Sequence, residues 1–100
     1  MVERKIRLLF HRFGWNVIRA GASLGEADLV CLKNKKCVLL QVKSTNKKVF
    51  YYYGYNRKTF EGFPFFLIVD FGYNKIRIQP PKNKIGVFDG QALEEFLRNY

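Results

Sequence analysis

Acidic side chains are scarce in this sequence. It contains 8 Asp and Glu residues against 18 Lys and Arg residues, so the formal net charge of the 100-residue chain is +10. A chain with this balance cannot offer a broad acidic surface, and the excess of positive charge favours a polyanionic partner, most simply nucleic acid. An anionic membrane surface is less favoured, because the sequence contains no basic amphipathic helix.

The sequence also contains few cysteines, one histidine and no long apolar run. Cys31 and Cys37 both lie in apolar runs without further ligands nearby, so we expect two buried free thiols in a reducing compartment rather than a metal site. His11, the one histidine, is expected on the surface of a helix. The sequence has no signal peptide and no apolar run near the ~20 residues of a membrane span. These absences predict a protein with no membrane contact.

Apolar and aromatic residues are plentiful, at 48% and 17% of the chain. This composition predicts a folded chain, with a single domain over residues 1–100 and a modest core. Apolar residues spaced by three and four predict a helix over residues 2–13, which Gly14 would end. A similar stripe predicts a closing helix over residues 89–100, with Asp89 as its N-cap.

Between the two helices, the sequence indicates β-strands joined by short turns. The last strand should lie at an edge or end of the sheet, because Pro80 and Pro81 follow it. The stretch 46–63 is predicted as either a short helix or a loop. This order predicts a small α/β domain with a central mixed β-sheet flanked by helices. The predicted strands are residues 15–22, 27–33, 37–45, 63–71 and 75–79, with a glycine-containing loop at 21–26.

The third predicted strand, "CVLLQVKST" (37–45), carries Gln41 and Lys43 on one face. Polar side chains in a dry sheet are costly unless they have partners. A tight hairpin turn at residues 34–35 would set Asp28 directly opposite Gln41. The sequence therefore predicts a polar patch at the open end of this hairpin.

A carboxylate, an amide and an ammonium in one patch allow two interpretations. The two oxygens could hold a hard divalent cation such as Mg²⁺, which polarises a phosphate, while the lysine stabilises the charge that develops on it. That arrangement suits phosphodiester hydrolysis. The alternative is a Lys–Asp pair with a hydrogen-bonded Gln at a sheet edge, without a catalytic role.

Four stretches, which together cover most of the chain, carry a recognisable pattern: "ERKIRLLFHRFGWNVIRAGAS", "ADLVCLKNKKCVLLQVK", "FPFFLIVDF" and "IRIQP". Their order and spacing resemble the PD-(D/E)xK nuclease superfamily and, within it, the archaeal Holliday junction resolvases. The resemblance implies a restriction-endonuclease-like domain that cuts branched DNA, the four-way (Holliday) junction, as a homodimer with Mg²⁺ or Mn²⁺. It also implies a cytoplasmic protein of an archaeon or of a virus of such a host.

The resemblance also implies a role for each residue of the predicted patch. Glu3 is similar in position to the helix acid of the family, which contacts the metal directly or through water. Asp28 resembles the central metal ligand, and Lys43 the catalytic lysine. Gln41 and the backbone carbonyl of Val42 would complete the set of ligands.

Basic residues elsewhere in the chain are expected to hold DNA. By the same resemblance, Arg4 and Arg19 serve catalysis or hold phosphate, and Ser23 approaches the scissile strand. In the stretch 46–63 basic residues bracket aromatic ones, so phosphates would contact the former and unpaired bases the latter. Alternatively, several of these rings belong to the core or to a subunit contact. The basic residues concerned are Lys47, Lys48, Arg57 and Lys58.

The sequence departs from the family pattern at the patch itself. Gln41 stands where the family has Glu or Asp, and Ala27 where it has proline. A neutral amide oxygen still coordinates a cation but attracts it less, and Glu26 could compensate if its strand extends that far. We therefore expect an active or weakly active nuclease. The alternatives are an inactive nucleic-acid-binding protein of the same fold, and a nuclease of this fold that acts on other branched DNA or on RNA.

Overall fold

The apolar spacing of the chain produces two helices and a set of short strands. The structure, a computed structural model, describes residues 2–21 and 27–100. Neither helix in this part is long and apolar enough to cross a membrane. The helices are α1 (Val2–Arg12) and α2 (Leu93–Asn99), and the strands are β1 (Asn16–Arg19), β2 (Leu29–Lys33), β3 (Lys36–Ser44), β4 (Val49–Tyr51), β5 (Thr59–Phe60), β6 (Phe63–Asp70), β7 (Ile76–Gln79), β8 (Lys84–Gly86) and β9 (Gln91–Ala92).

The long strand β3 lies inside a mixed sheet with the order β1-β2-β3-β6-β7-β9, in which β5 also pairs with β6. Strands β1, β2 and β3 form an antiparallel meander, and β6 runs parallel to β3. Strand β7 runs antiparallel to β6, and β9 antiparallel to β7. The predicted α/β domain with a central mixed sheet and flanking helices is confirmed.

The hairpin of β2 and β3 has the predicted register. Asn34 and Lys35 have φ angles of 50° and 67°, the left-handed conformation that lets a two-residue turn follow the twist of its strands. The ladder ends with Leu29 opposite Leu40. The next residue pair along is the predicted polar patch.

One face of the sheet is covered by both helices. Ile6 and Phe10 of α1, with Phe96 and Leu97 of α2, are fully or almost fully buried there. Alternate strand residues turn their apolar side chains towards these helices and form one continuous core. The strand residues are Leu29, Cys31, Val38, Leu40, Val42, Ile68, Ile76 and Ile78.

The opposite face is covered only in part. A two-stranded antiparallel sheet, β4 with β8, packs through Tyr52 and Ile85 against Leu67 and Val69 of β6. A second small cluster surrounds Phe65, nearer the start of β6. The face that lacks helices is therefore divided into two apolar clusters.

Two predictions about the C-terminal third are wrong. The closing helix begins at Leu93 instead of residue 89, and its N-cap is Ala92 without a side-chain hydrogen bond. Asp89 accepts a hydrogen bond from the amide of Gly86 at 2.6 Å instead, which fixes the turn after β8. The residues just before α2 form β9 and pair with β7, so β7 does not lie at the edge of the sheet.

The middle stretch, residues 46–63, contains β4 and β5 and no helix. Strand β4 pairs with β8, which lies far along the chain. A short strand that pairs with a segment far away in the sequence has no neighbouring turn or partner strand to indicate it. The stretch is therefore predicted from sequence as a helix or loop. Of the predicted loop at 21–26, residues 22–26 lie outside the described part of the chain.

The cysteines are free thiols, as predicted, although only Cys31 is buried and Cys37 is half-buried. Burial raises the pKa of Cys31 to about 12, and the neighbouring Cys37 adds to the shift. The Cys31 thiol therefore stays protonated near neutral pH and does not act as a thiolate ligand. His11 is exposed on α1, as expected.

Candidate active site

The open end of the β2–β3 hairpin brings Asp28 against Gln41 and Val42. Gln41 Nε2 donates a hydrogen bond to Asp28 Oδ2 at 3.2 Å, and the backbone amide of Val42 donates to the same oxygen at 2.8 Å. The contact between Asp28 and Gln41 is the one that the hairpin register predicts. Both bonds go to one oxygen, so they orient the carboxylate and leave its Oδ1 outside them.

The Gln41 side chain is buried, with 7% of its surface exposed. Its Nε2 is directed at Asp28, but its Oε1 is buried without a hydrogen-bond partner among residues 2–21 and 27–100. An unsatisfied buried oxygen costs about 1–3 kcal/mol, and such atoms need an explanation such as an ion. A cation beside Asp28 would satisfy this oxygen.

Glu3 reaches the same region from α1. A pocket of about 280 Å³ opens between the first turn of the helix and the start of β2. Glu3 Oε1 lies 2.9 Å from Arg19 Nε, in an ion pair that is open to solvent. The helix acid and the hairpin acid thus line one pocket. It is lined by Glu3, Arg19, Gly21, Ala27 and Asp28.

Lys43 lies two residues after Gln41 and therefore on the same face of β3. It is half-buried, and its neighbour on β6 is Val69. The same parallel register sets Gln41 beside Leu67. Gln41 and Lys43 thus form, with Asp28, a polar strip on the face of the sheet that the helices do not cover.

A third carboxylate at this end of the sheet was missed by the sequence analysis. Asp70 ends β6, is 6% exposed, and pairs with Lys5 of α1 at 3.0 Å. Its Oδ1 accepts a hydrogen bond from Gly72 at 2.8 Å. Because Lys5 is two residues from Glu3, this ion pair ties the first turn of α1 to the sheet and positions Glu3. An acid that ends the apolar run "FPFFLIVD" was the available signal.

Of the other predicted DNA-binding residues, those that the structure describes lie outside the pocket. Arg4 is exposed on α1 and does not line it. Ser23 and Glu26 lie outside the described residues. The remaining four are exposed, two in the connection from β3 to β4 and two just before β5, and they are Lys47, Lys48, Arg57 and Lys58.

The oxygen ligands at this site suit a hard divalent cation, although few of them carry a negative charge. Carboxylate, amide and carbonyl oxygens are the ligands of Mg²⁺ and Mn²⁺. In the described part of the chain, His, Cys, Asp and Glu side chains do not gather in threes, so a soft or highly charged metal site is not formed there. The feature that fits a metal is the orphaned oxygen of the Gln41 amide, whose nitrogen contacts Asp28.

Comparison with known proteins finds a family and solved structures of similar fold. The fold is similar to that of Hjc, a Holliday junction resolvase from the archaeal hyperthermophile Archaeoglobus fulgidus, with a TM-score of 0.73, 16% sequence identity, and coverage of 99% of this chain and 94% of that one. A search of curated proteins finds no match. The sequence model of the archaeal Holliday junction resolvase family (Hjc) matches residues 1–100. The chain therefore belongs to the archaeal Holliday junction resolvase family, whose members are endonucleases that use divalent metal to cut four-way DNA junctions.

Proposed function

We propose that this chain hydrolyses phosphodiester bonds of four-way DNA junctions with Mg²⁺ or Mn²⁺ held at the polar strip. The observation that carries the proposal is the pair of hydrogen bonds on Asp28 Oδ2, beside the buried and unpartnered Gln41 Oε1. A carboxylate that is oriented next to an unsatisfied oxygen is half of a cation site. DNA supplies further oxygens through its phosphate.

Four groups of the chain would hold the metal. Asp28 supplies a charged oxygen and Gln41 supplies its Oε1. In an extended strand the N–H and C=O of one residue face the same side, so the carbonyl of Val42 faces Asp28 as its amide does. Glu3 faces the pocket from α1 and is paired with Arg19. Its carboxylate would bind the cation, directly or through water, in place of this ion pair.

An amide at position 41 has a different effect on Asp28 from that of a carboxylate at the same position. Two carboxylates at hydrogen-bond distance repel one another unless a cation or a proton lies between them. The Gln41 amide donates to Asp28 instead, so the site is ordered without metal. The expected consequence is a lower metal affinity than a carboxylate at this position would give, since one negative charge is missing.

The charge and position of Lys43 and Arg19 suit them to contact the phosphates of the DNA. A bound divalent metal polarises the scissile phosphate and lowers the pKa of a bound water. Lys43 would stabilise the charge that develops on the phosphate or position the attacking water, because its ammonium lies on the same face as Gln41. Arg19, exposed at the rim of the pocket, would contact a neighbouring phosphate.

The exposed cations beyond the pocket would fix the DNA arms. Lys47 and Lys48 follow directly after β3, and Arg57 and Lys58 precede β5. Each phosphate contact releases counterions, so replacing these four residues with Gln should flatten the salt dependence of binding by up to about 0.9 log units per contact. An unchanged salt slope would remove these residues from the DNA-binding surface.

Two further elements of the proposal concern assembly and location. A junction is resolved by two cuts, and this chain offers one pocket with Glu3 and Asp28 in its described part, so two copies are needed and a homodimer is proposed. Sedimentation of the free protein tests this element directly. The cytoplasmic location stays a prediction.

A second candidate function is junction binding without cleavage, and the neutral Gln41 amide favours it. The deciding experiment compares a labelled four-way junction with a linear duplex of the same sequence in Mg²⁺, Mn²⁺ and EDTA. Asp28→Ala tests the site, and Glu95→Ala, an exposed acid on α2, is the matched control. Paired, metal-dependent cuts that only Asp28→Ala abolishes support the nuclease. Tight binding without cuts in either metal supports the second candidate.

A further inference from the structure

The two-stranded sheet of β4 and β8, called the ribbon below, has two unlike faces. Phe50 pairs with Ile85, and Tyr51 pairs with Lys84. The pairing is prolonged by a hydrogen bond from the amide of Tyr52 to the carbonyl of Asn83 at 2.8 Å. Since side chains alternate along a strand, one face of the ribbon carries Phe50 and Ile85 and the other carries Tyr51 and Lys84.

The inner face of the ribbon is fixed to the central sheet. Phe50, Tyr52 and Ile85 pack against Leu67 and Val69 of β6. These two β6 residues are the direct neighbours of the β3 residues that carry the polar strip. The ribbon therefore rises from the same face of the sheet as the proposed metal site and lies next to it.

The outer face of the ribbon and its two ends are basic and aromatic. Tyr51, Tyr53 and Phe88 are 56%, 84% and 81% exposed. Large exposed rings gathered on one element mark an interaction surface more often than chance. Asp89 is the acid at this end, and Lys82 lies 3.6 Å from it. Lys84 is an exposed cation of the ribbon itself. Lys47 and Lys48 are exposed just before β4, and Lys82 is exposed just before β8.

The charge of this surface decides which partner it fits. A second copy of the chain on a two-fold axis would bring the same lysines of both copies together, which is unfavourable. Unpaired nucleotides offer phosphates for the lysines and ring faces for the tyrosines, and this combination is typical of proteins that bind single strands. The bases of a four-way junction are paired, but the pairs that flank the branch point lose a stacking neighbour where the arms separate, so their ring faces become accessible.

We propose that the outer face of the ribbon stacks on bases exposed at the branch point, with Tyr51 and Tyr53 as stacking residues. This proposal rests on the proposed function as a junction enzyme. It assigns selectivity for branched over linear DNA to aromatic rings beside the metal site. The cations of the ribbon then hold the strand that leads away from the branch.

The test measures affinity for a four-way junction and for a linear duplex of equal length in EDTA, where no cutting occurs. Tyr51→Leu/Tyr53→Leu removes both rings and keeps apolar bulk, whereas Tyr51→Phe/Tyr53→Phe keeps the rings. One stacked base contributes about 1–3 kcal/mol, or about 5- to 150-fold in affinity. The Leu pair should weaken junction binding by at least about fivefold and leave duplex binding nearly unchanged. The Phe pair should bind the junction like the wild type.

A matched control and a cross-linking readout complete the experiment. Tyr73→Leu alters a tyrosine that is 96% exposed outside the ribbon, and it should leave junction affinity unchanged. 5-Bromodeoxyuridine at the branch point should cross-link to Tyr51 or Tyr53, and the same base within an arm should not. Equal junction affinity of the Leu and Phe pairs would overturn the proposal, as would a Leu pair that loses its oligomeric state instead of its selectivity. A wild type that does not prefer junction to duplex would overturn the proposed function itself.

Discussion

The helix-covered face of the central sheet and the opposite face differ in how each is closed. The first is a continuous apolar cluster from Ile6 to Leu97, with α1 and α2 laid over alternate strand residues. The second has two separate apolar clusters and a strip in which buried Gln41 contacts Asp28. Apolar burial closes the first face completely, while the second face retains polar groups, among them the Gln41 oxygen that is buried without a partner in the described part of the chain. This difference separates the residues of stability from those of function.

The largest expected effect is on the helix-covered face. Phe10→Ala removes a fully buried ring and should lower the free energy of unfolding by about 3–5 kcal/mol. Leu8→Ala, on the same helix but with a side chain that is 54% exposed, should cost about 0.5 kcal/mol or less. Urea denaturation of both variants measures the contrast. Similar losses for the two would show that α1 is not anchored by its buried stripe.

Removing the ammonium of Lys43 from the polar strip should lower activity rather than stability. Lys43→Ala should lower kcat by about 10²- to 10³-fold, because the ammonium that would stabilise the developing charge is lost. Lys36→Ala, at the other end of the same strand, is the control and should cut at the wild-type rate. Single-turnover cleavage of a labelled junction compares them. An equal rate for Lys43→Ala and Lys36→Ala would remove Lys43 from the reaction.

Replacing the neutral amide with a carboxylate sharpens the comparison further. Gln41→Glu loses the hydrogen bond to Asp28 and sets two like charges together, so in EDTA it should lower the free energy of unfolding by about 1.5–3 kcal/mol. Added Mg²⁺ should restore the loss, since the extra carboxylate attracts the cation. Thermal denaturation with and without Mg²⁺ measures both effects.

The control for this experiment is the other glutamine that is buried with an unpartnered oxygen. Gln79 donates to the carbonyl of Leu67 at 2.7 Å, and its Oε1 is also buried without a partner in the described part of the chain. Gln79→Glu should be destabilised equally with and without Mg²⁺. If Mg²⁺ rescued both variants, or neither, Gln41 would have no special relation to a metal.

The smallest effect concerns the turn that ends the ribbon. The hydrogen bond from the Gly86 amide is the main cause that lowers the pKa of Asp89, and Lys82 contributes. A lowered pKa adds stability that is present above the unfolded value of about 3.9 and is lost as pH falls through the folded pKa. Wild type should therefore be slightly more stable than Asp89→Asn near neutral pH and lose this advantage in acid. An advantage that grows in acid would contradict the assignment.

The sequence predicted the features that local patterns determine. The helical stripe of α1 and the two-residue turn at Asn34 and Lys35 follow from spacing and turn chemistry, and they brought Asp28 to Gln41 as expected. The start of α2 was misplaced because Asp89 is also a good turn residue, and its carboxylate bonds Gly86. Such a choice between two local uses of one residue depends on tertiary contacts.

Long-range pairing was beyond local prediction. Strand β4 exists because β8 lies against it, and the ion pair of Lys5 with Asp70 joins residues far apart in the chain. The orphaned state of Gln41 Oε1 follows from the packing around it and from no pattern in the sequence. The sequence indicated the residues of the proposed site, and the structure adds the contacts that orient two of them, Glu3 with Arg19 and Gln41 with Asp28.

The most direct test of the polar strip as a metal site is a titration with Mn²⁺ followed by NMR of the ¹⁵N-labelled protein. Paramagnetic Mn²⁺ broadens the resonances of nearby nuclei. The account predicts that the side-chain amide of Gln41 and the backbone amide of Val42 broaden first, and that Asp28→Ala abolishes this selectivity. Broadening that begins at exposed acids of α2, such as Glu94 and Glu95, or that spares Gln41 and Val42 altogether, would contradict it.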